Sequence, residues 1–203
     1  MTKVFIGGSR RVSRLSDPIL VRLDRIIEQG FPVLIGDANG ADKAVQLYLK
    51  SKNYSNVEVF CSGRVCRNNI GNWKQRNISS TADNKTYAFY AAKDQTMADD
   101  ATIGLMVWDG KSKGTLLNVF RLLKQRKNAI VYNVPEKCFL ELRDLAQWTE
   151  LLSHCDSELR NKVEQQAVLE DQKQNSLFPE SFKPHRNSRR ARVNDSDIHI
   201  PDS

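Results

Sequence analysis

Short apolar runs alternate with amphipathic stretches through the first 135 residues of the chain. Val4-Phe5-Ile6, Phe31-Pro32-Val33-Leu34-Ile35, Val57–Cys61, Ala101–Trp108 and Ala129–Tyr132 have the length and β-branched content of buried strands. Between them, Leu20, Leu23, Ile26 and Ile27 recur at helical spacing behind the Asp17-Pro18 start. Ala44, Val45, Leu47 and Tyr48 mark a second helix from about 41 to 50. Leu116, Phe120 and Leu123 mark another, ending near Lys127. Tyr87–Met97 reads as a short strand or a helix leading into the most apolar run. Ser62–Thr86 is polar and rich in Asn, Arg and Ser, and reads as a long, partly ordered loop. Five strands alternating with helices predict an α/β, Rossmann-like three-layer fold with a five-stranded parallel sheet.

Beyond this unit, Phe139, Leu142, Leu145, Trp148 and Leu152 predict a terminal amphipathic helix. The reading therefore sets one domain at 1–152 and a charged helical extension at 153–172. Residues 173–203 have few apolar side chains and are expected to form a disordered tail.

Composition adds exclusions. With 203 residues, 40% hydrophobic and 27% charged, the chain can bury a sizeable core without disulfides or metal. No apolar run approaches the roughly 20 residues that cross a bilayer. The start runs straight from Met1 into a strand, so neither a secreted nor a membrane protein is expected and the cytoplasm is. Net charge is +7, and residues 1–150 carry 23 basic against 15 acidic side chains, spread thinly along the folded part. Such a surplus attracts a polyanion or a small phosphorylated ligand and does not choose between them. Cys61, Cys66, Cys138 and Cys155 show no CxxC or Cys/His spacing, so reduced thiols and no metal or cofactor are expected.

In an open parallel sheet, ligands bind beyond the carboxyl ends of the strands. A glycine-rich segment follows three of the strands. These segments are Gly7-Gly8-Ser9-Arg10, Gly36-Asp37-Ala38-Asn39-Gly40-Ala41-Asp42, and Asp109-Gly110-Lys111-Ser112-Lys113-Gly114-Thr115. Glycine lets backbone amides approach a phosphate closely, and each following helix adds a partial positive charge. Ser9, Ser112 and Thr115 offer hydroxyls; Arg10, Lys111 and Lys113 offer charge. Neither GxGxxG nor GxxxxGK[ST] is present. The predicted ligand site is Gly7, Gly8, Ser9, Arg10, Gly36, Asp37, Asn39, Gly40, Asp42, Asp109, Gly110, Lys111, Ser112, Gly114 and Thr115. A lone strand-end glycine often serves only a turn; three equivalent loops point to a nucleotide-sized anion. Arg64, Arg67 and Asn68 could fold over it as a lid, and Trp73 or Trp108 could stack on a base.

These three segments, in this order, resemble the SLOG superfamily of Rossmann-like domains over roughly residues 1–135. That group embraces LOG phosphoribohydrolases, the DNA-processing protein A family and YpsA/YspA-like proteins, and the last branch is nearest. The resemblance implies a site for a nucleotide or nucleotide-derived ligand of the AMP or ADP-ribose class, and pairing of the chain into a homo-oligomer. The Phe139–Leu152 helix offers apolar surface for such pairing. LOG-type hydrolases carry a glutamate three positions after the Gly-Thr pair; here Gly114-Thr115 leads to Asn118, which cannot act as a carboxylate.

A sensor or carrier module holding a nucleotide is therefore expected first. An N-glycosidase acting on a nucleoside monophosphate is second; it needs another carboxylate, with Asp109, Asp94 and Asp37 as candidates. Single-stranded nucleic-acid binding ranks third, for want of a long basic run or aromatic-basic interleaving.

Overall fold

The computed structural model describes residues 2–79 and 86–177, with side chains to residue 172. The predicted tail at 173–203 thus lies almost wholly outside the described residues. The elements are β1 (Val4–Gly8), α1 (Asp17–Glu28), β2 (Val33–Gly36), α2 (Ala41–Ser51), β3 (Val57–Ser62), β4 (Lys74–Ile78), α3 (Tyr87–Asp100), β5 (Ile103–Trp108), α4 (Lys113–Lys124), β6 (Asn128–Asn133), β7 (Cys138–Leu142), α5 (Leu145–Ser153) and α6 (Ser157–Leu177).

The architecture is the expected Rossmann-like α/β fold, with seven strands where five were expected. Strand order is β4-β3-β2-β1-β5-β6-β7. All neighbours pair in parallel except β7, which runs antiparallel to β6. The two extra strands lie at the edges, where one face is wet and a polar sequence is tolerated. β4 forms inside the segment read as a loop; its sequence, Lys-Gln-Arg-Asn-Ile, carries no apolar run, and Arg76 is drawn to Glu58 and Asp100. β7 takes the start of the predicted terminal helix, which divides there into a strand and α5. Tyr87 to Asp100 is helical: Thr86 caps it, its side chain accepting from the Phe89 amide.

Alternation along the strands builds two cores. Phe5, Leu34, Phe60 and Met106 face α3 and α4. Val4, Ile6, Val33, Ile35, Val59, Leu105 and Val107 face α1 and α2. Trp148, Leu151 and Leu152 of α5 join the first core, and Trp148 donates its indole N–H to the Leu116 carbonyl at 3.0 Å. Most of the apolar surface offered for pairing is thus taken up within the chain, with Leu145 left exposed. α6 lays Leu159, Val163 and Ala167 on the same core. Trp108 is core as well, and half-buried Trp73 donates to the Tyr54 carbonyl. Among the described residues no helix is long and apolar enough to cross a membrane.

The chain leaves β1 toward β2 on one side and returns through β5 on the other. β1 and β5 pair from Val4↔Ile103 to Gly8↔Val107, so their exit loops diverge at one point on the sheet edge. This is the switch point at which such sheets open a crevice.

Candidate functional site

A cavity of about 790 Å³ opens there, lined by the β1–α1 loop, the first turns of α2 and α4, the N-terminal half of α3 and the start of α6. Eight basic side chains and five acidic ones line it, so its field favours an anion.

Its phosphate-sized end is assembled from the first and third loops. The Ser9 amide bonds the Val107 carbonyl at 2.9 Å, which fastens the first loop to β5. Ser9 Oγ donates to Asp109 Oδ2 at 2.8 Å, and Asp109 Oδ1 accepts from the Lys111 and Ser112 amides at 3.1 and 2.7 Å. Asp109 is therefore the brace that shapes the turn. Ser112 caps α4, accepting from the Thr115 amide. Gly114 has nothing within 4 Å of where its Cβ would stand, so the first turn of α4 presents bare backbone to the cavity. First-turn amides lack intrahelical acceptors and carry the positive end of the helix dipole. Lys113 Nζ sits 5.0 Å from the Tyr87 ring centre.

The opposite wall is cationic and aromatic. Arg10 and Arg67 each lie 4.9 Å from the Tyr90 ring centre. Arg67 also grips Asp37: its amide and Nε donate to Oδ2 at 3.1 Å, and its Nη2 to Oδ1 at 2.5 Å. Burial pulls the Asp37 carboxyl up, but the Arg67 hydrogen bonds and the nearby Lys93 charge outweigh it and hold the group below its usual range.

At the floor, Lys93 is only 3% exposed and donates from Nζ to Asp94 Oδ1 at 2.7 Å. Asp42, 6% exposed, accepts from the Ala38 amide. A Cβ on Gly36 would meet Lys93 Nζ at 2.6 Å and overlap Asp42 Oδ2, so only glycine admits both groups above β2. Desolvation of Lys93 is outweighed by Asp94, Asp42 and Asp37, which keep it charged. Asp42 is the reverse case: burial exceeds the pull of Lys93 and pushes its carboxyl up to about 6.

Asp42 thus binds a proton more tightly folded than unfolded, where its value is 3.8. Its stabilising contribution is complete below about pH 4 and is lost as pH rises through 6. Asp42→Asn is expected to remove this loss, gaining on the parent between pH 4 and pH 7. Urea midpoints across that range check it; a constant difference between the two proteins contradicts the assignment.

One further wall comes from outside the sheet's crossover units. Arg121 on α4, 4% exposed, donates from Nη1 to Asn118 Oδ1 at 2.5 Å, from Nε and Nη2 to Glu170 on α6, and from Nη2 to Tyr87 Oη at 2.9 Å. Tyr87 Oη also bonds Glu170, and burial raises the Tyr87 hydroxyl well above its usual range. The network draws α6 against α3 and α4 and turns Asp156, Glu158 and Lys162 toward the cavity.

Of the sequence-derived residues, Gly7, Gly8, Ser9, Arg10, Asp42, Asp94, Asp109, Lys111, Ser112, Gly114 and Thr115 line the cavity. Gly36, Asp37, Asn39, Gly40 and Gly110 do not. Gly36 lies beneath the Asp42 and Lys93 side chains, and Asp37 is held by Arg67. Asn39 bonds Asn68, Gly40 abuts the Arg10 backbone, and Gly110 faces Pro135. Neither Trp73 nor Trp108 lines it. Tyr90, Arg121 and the start of α6 were missed; Asn118 followed by Arg121 one helical turn later was the signal available for the second. The expectation of reduced thiols is corrected at Cys61 and Cys66, which are joined in a disulfide, while Cys138 and Cys155 are free. The two sulfurs and an Asp37 oxygen lie within 4.8 Å of one another, but with the sulfurs bonded and Arg67 on the carboxylate they offer no donor set for a cation.

No protein-family model and no curated protein matches the chain. Among solved structures it is similar to DNA processing protein A from Helicobacter pylori, described for its single-stranded DNA binding mode: 15% identity, TM-score 0.51, over 84% of this chain and 81% of that one. DNA processing protein A from Streptococcus pneumoniae follows, at 14% identity and TM-score 0.49, over 64% of this chain. The chain spans half the length of the Streptococcus protein. The Helicobacter likeness shows a shared Rossmann-like fold, the fold that the resemblance to the SLOG superfamily implied.

Proposed function

We propose that the cavity holds a nucleotide or nucleotide-derived ligand of the AMP or ADP-ribose class, with a phosphate on the first turn of α4. The observation that carries this reading is the open first turn at Gly114, set among Lys111, Lys113 and Arg10 at the switch point. Asn118, tied to Arg121, stands where LOG-type hydrolases place a glutamate, which favours holding the ligand over cutting it. With Asp109 committed to its turn, Asp42, Asp94, Asp156 and Glu158 are the lining carboxylates left to serve a cleavage reaction.

Calorimetric titration with AMP, ADP-ribose and cyclic ADP-ribose, followed by product analysis, tests both statements. Binding without release of base over hours supports a sensor or carrier; release of adenine assigns the hydrolase reading. Gly114→Asp is the diagnostic variant, since its side chain enters open space. It is expected to keep the parent's melting temperature and to weaken AMP binding by about 100-fold, about 2.7 kcal/mol, because a carboxylate now stands beside the phosphate and repels it. Unaltered affinity would place the phosphate elsewhere.

The likeness to the Helicobacter protein and the +7 charge favour a second reading, single-stranded nucleic acid. An oligonucleotide contacting several phosphates loses affinity steeply with salt, with a slope of about −0.7 per contact on logarithmic axes. A mononucleotide in the cavity does not.

A further inference from the structure

Residues 62–73 leave β3 and cross to β4, and this connection supplies Arg67 to the cavity wall. It is docked by side chains: Asn68 donates to the Asp37 carbonyl, and buried Gln46 bonds both the Asn68 carbonyl and the Ile70 amide. One covalent tie is added, from Cys61 near the end of β3, one strand in from the sheet edge, to Cys66, directly before Arg67. A chain with two cores of this size needs no staple to fold, and a bridge across five residues closes a small loop, whose stabilisation is at the low end for disulfides. The bridge instead ties the residue directly before Arg67 to a fixed strand, which makes it a tether for that part of the wall.

We propose that Cys61 and Cys66 form a redox-active pair that sets whether the Arg67 wall of the cavity is closed. Cys61 is fully buried and fixed in register with Asn77; Cys66 is partly exposed. A small dithiol reductant therefore attacks Cys66 Sγ as its thiolate. The sulfur–sulfur bond breaks, the electron pair leaves on Cys61 Sγ and takes up a proton. The second thiol of the reductant then displaces Cys66 from the mixed disulfide, and the Cys66 sulfur is protonated in turn. The protein gains two electrons and two protons, and the reductant becomes a disulfide. Two thiols cannot share bonding distance, and Cys61 is held by the sheet, so Cys66 is the residue that moves. Arg67 follows it off Asp37 and off the face of Tyr90, and the wall it shares with Arg10 opens.

The ligand arm of the test rests on the nucleotide reading; a second arm does not. Full-length protein is compared in air-oxidised form and after dithiothreitol, with thiols counted in each. Two free thiols before reduction and four after are expected. Reduction is expected to speed tryptic cleavage after Arg67 by about tenfold and to weaken AMP binding by about tenfold, within the usual range of coupling between two sites. Cys66→Ser should behave as the reduced protein with or without dithiothreitol, while Cys138→Ser/Cys155→Ser should respond as the parent does. Four free thiols in the air-oxidised protein, or equal cleavage in both states, overturns the switch whatever AMP does. Should AMP bind neither form, the nucleotide reading fails and the cleavage ratio still decides the switch.

Discussion

Lys93→Met is expected to destabilise the fold by about 3–5 kcal/mol at pH 8, the cost of removing one partner from a buried ionic group. The side chains are of similar length and methionine fits an apolar slot, so the loss is electrostatic. Lys93 bonds Asp94 and also faces Asp42 and Asp37, and Asp42 is the most deeply buried carboxylate of the three apart from Asp37. Asp37 keeps Arg67; Asp42 keeps only the Ala38 amide. With the ammonium gone, the Asp42 carboxyl rises above its present value of about 6 and escapes the penalty by taking a proton. The deficit should therefore shrink as pH is lowered to 5. Asp42→Asn placed on the Lys93→Met background should recover part of it at pH 8. Urea denaturation of the four proteins at both pH values measures each quantity. A deficit that does not change with pH would mean that Lys93 acts through packing and not through charge.

Gly40→Ala carries the second large effect, expected at about 3 kcal/mol or more together with loss of ligand binding. Gly40 precedes α2 at φ 83° and ψ −129°, a backbone region closed to residues with a Cβ. An added methyl would also overlap the Arg10 carbonyl group. That neighbour is backbone and cannot rotate aside. Its own position matters: the Ala41 amide bonds the Ser9 carbonyl at 3.0 Å, so the first and second loops are locked together. Pushing them apart moves Arg10 off Tyr90 and shifts Ser9 from Asp109. Gly30 supplies the control. It too has positive φ, at 65°, but nothing lies within 4 Å of its Cβ position, so Gly30→Ala should cost about 1–2 kcal/mol and leave binding intact. Thermal melts and AMP titration of both variants separate strain alone from strain with displacement.

The central strands and their glycine loops were legible because a strand buried on both faces must be apolar throughout, and Val4–Gly8 or Ile103–Trp108 has no other use in water. The edge strands were not. Lys74–Ile78 pairs with β3 through its backbone, and a backbone bond leaves no mark on side-chain pattern. Cys138–Leu142 reads as helix because Phe139 and Leu142 fit either period, and only pairing with β6 decides between them. At the site, the loops were found from glycine and hydroxyl spacing. Asp42 could be named as a candidate, but its burial with Lys93 against Gly36 arises from α2 and α3 meeting over β2, a tertiary event. Gly40 was assigned to the ligand, whereas its work is to let two loops touch.

The docking of α6 through Arg121 and Glu170 has an evolutionary consequence. Leu159, Val163 and Ala167 anchor that helix on the core, while Asp156, Glu158 and Lys162 line the cavity beside Leu159. Glu158 and Lys162 can be substituted without touching the anchoring residues, the sheet or the phosphate-sized loops, whereas Asp156 also accepts from the Leu159 amide and so caps the helix. On the nucleotide reading proposed above, the chain thereby separates gripping a charged end from selecting what is attached to it. On that reading a lineage can change its molecular diet by editing the first two turns of α6 while inheriting the grip unaltered.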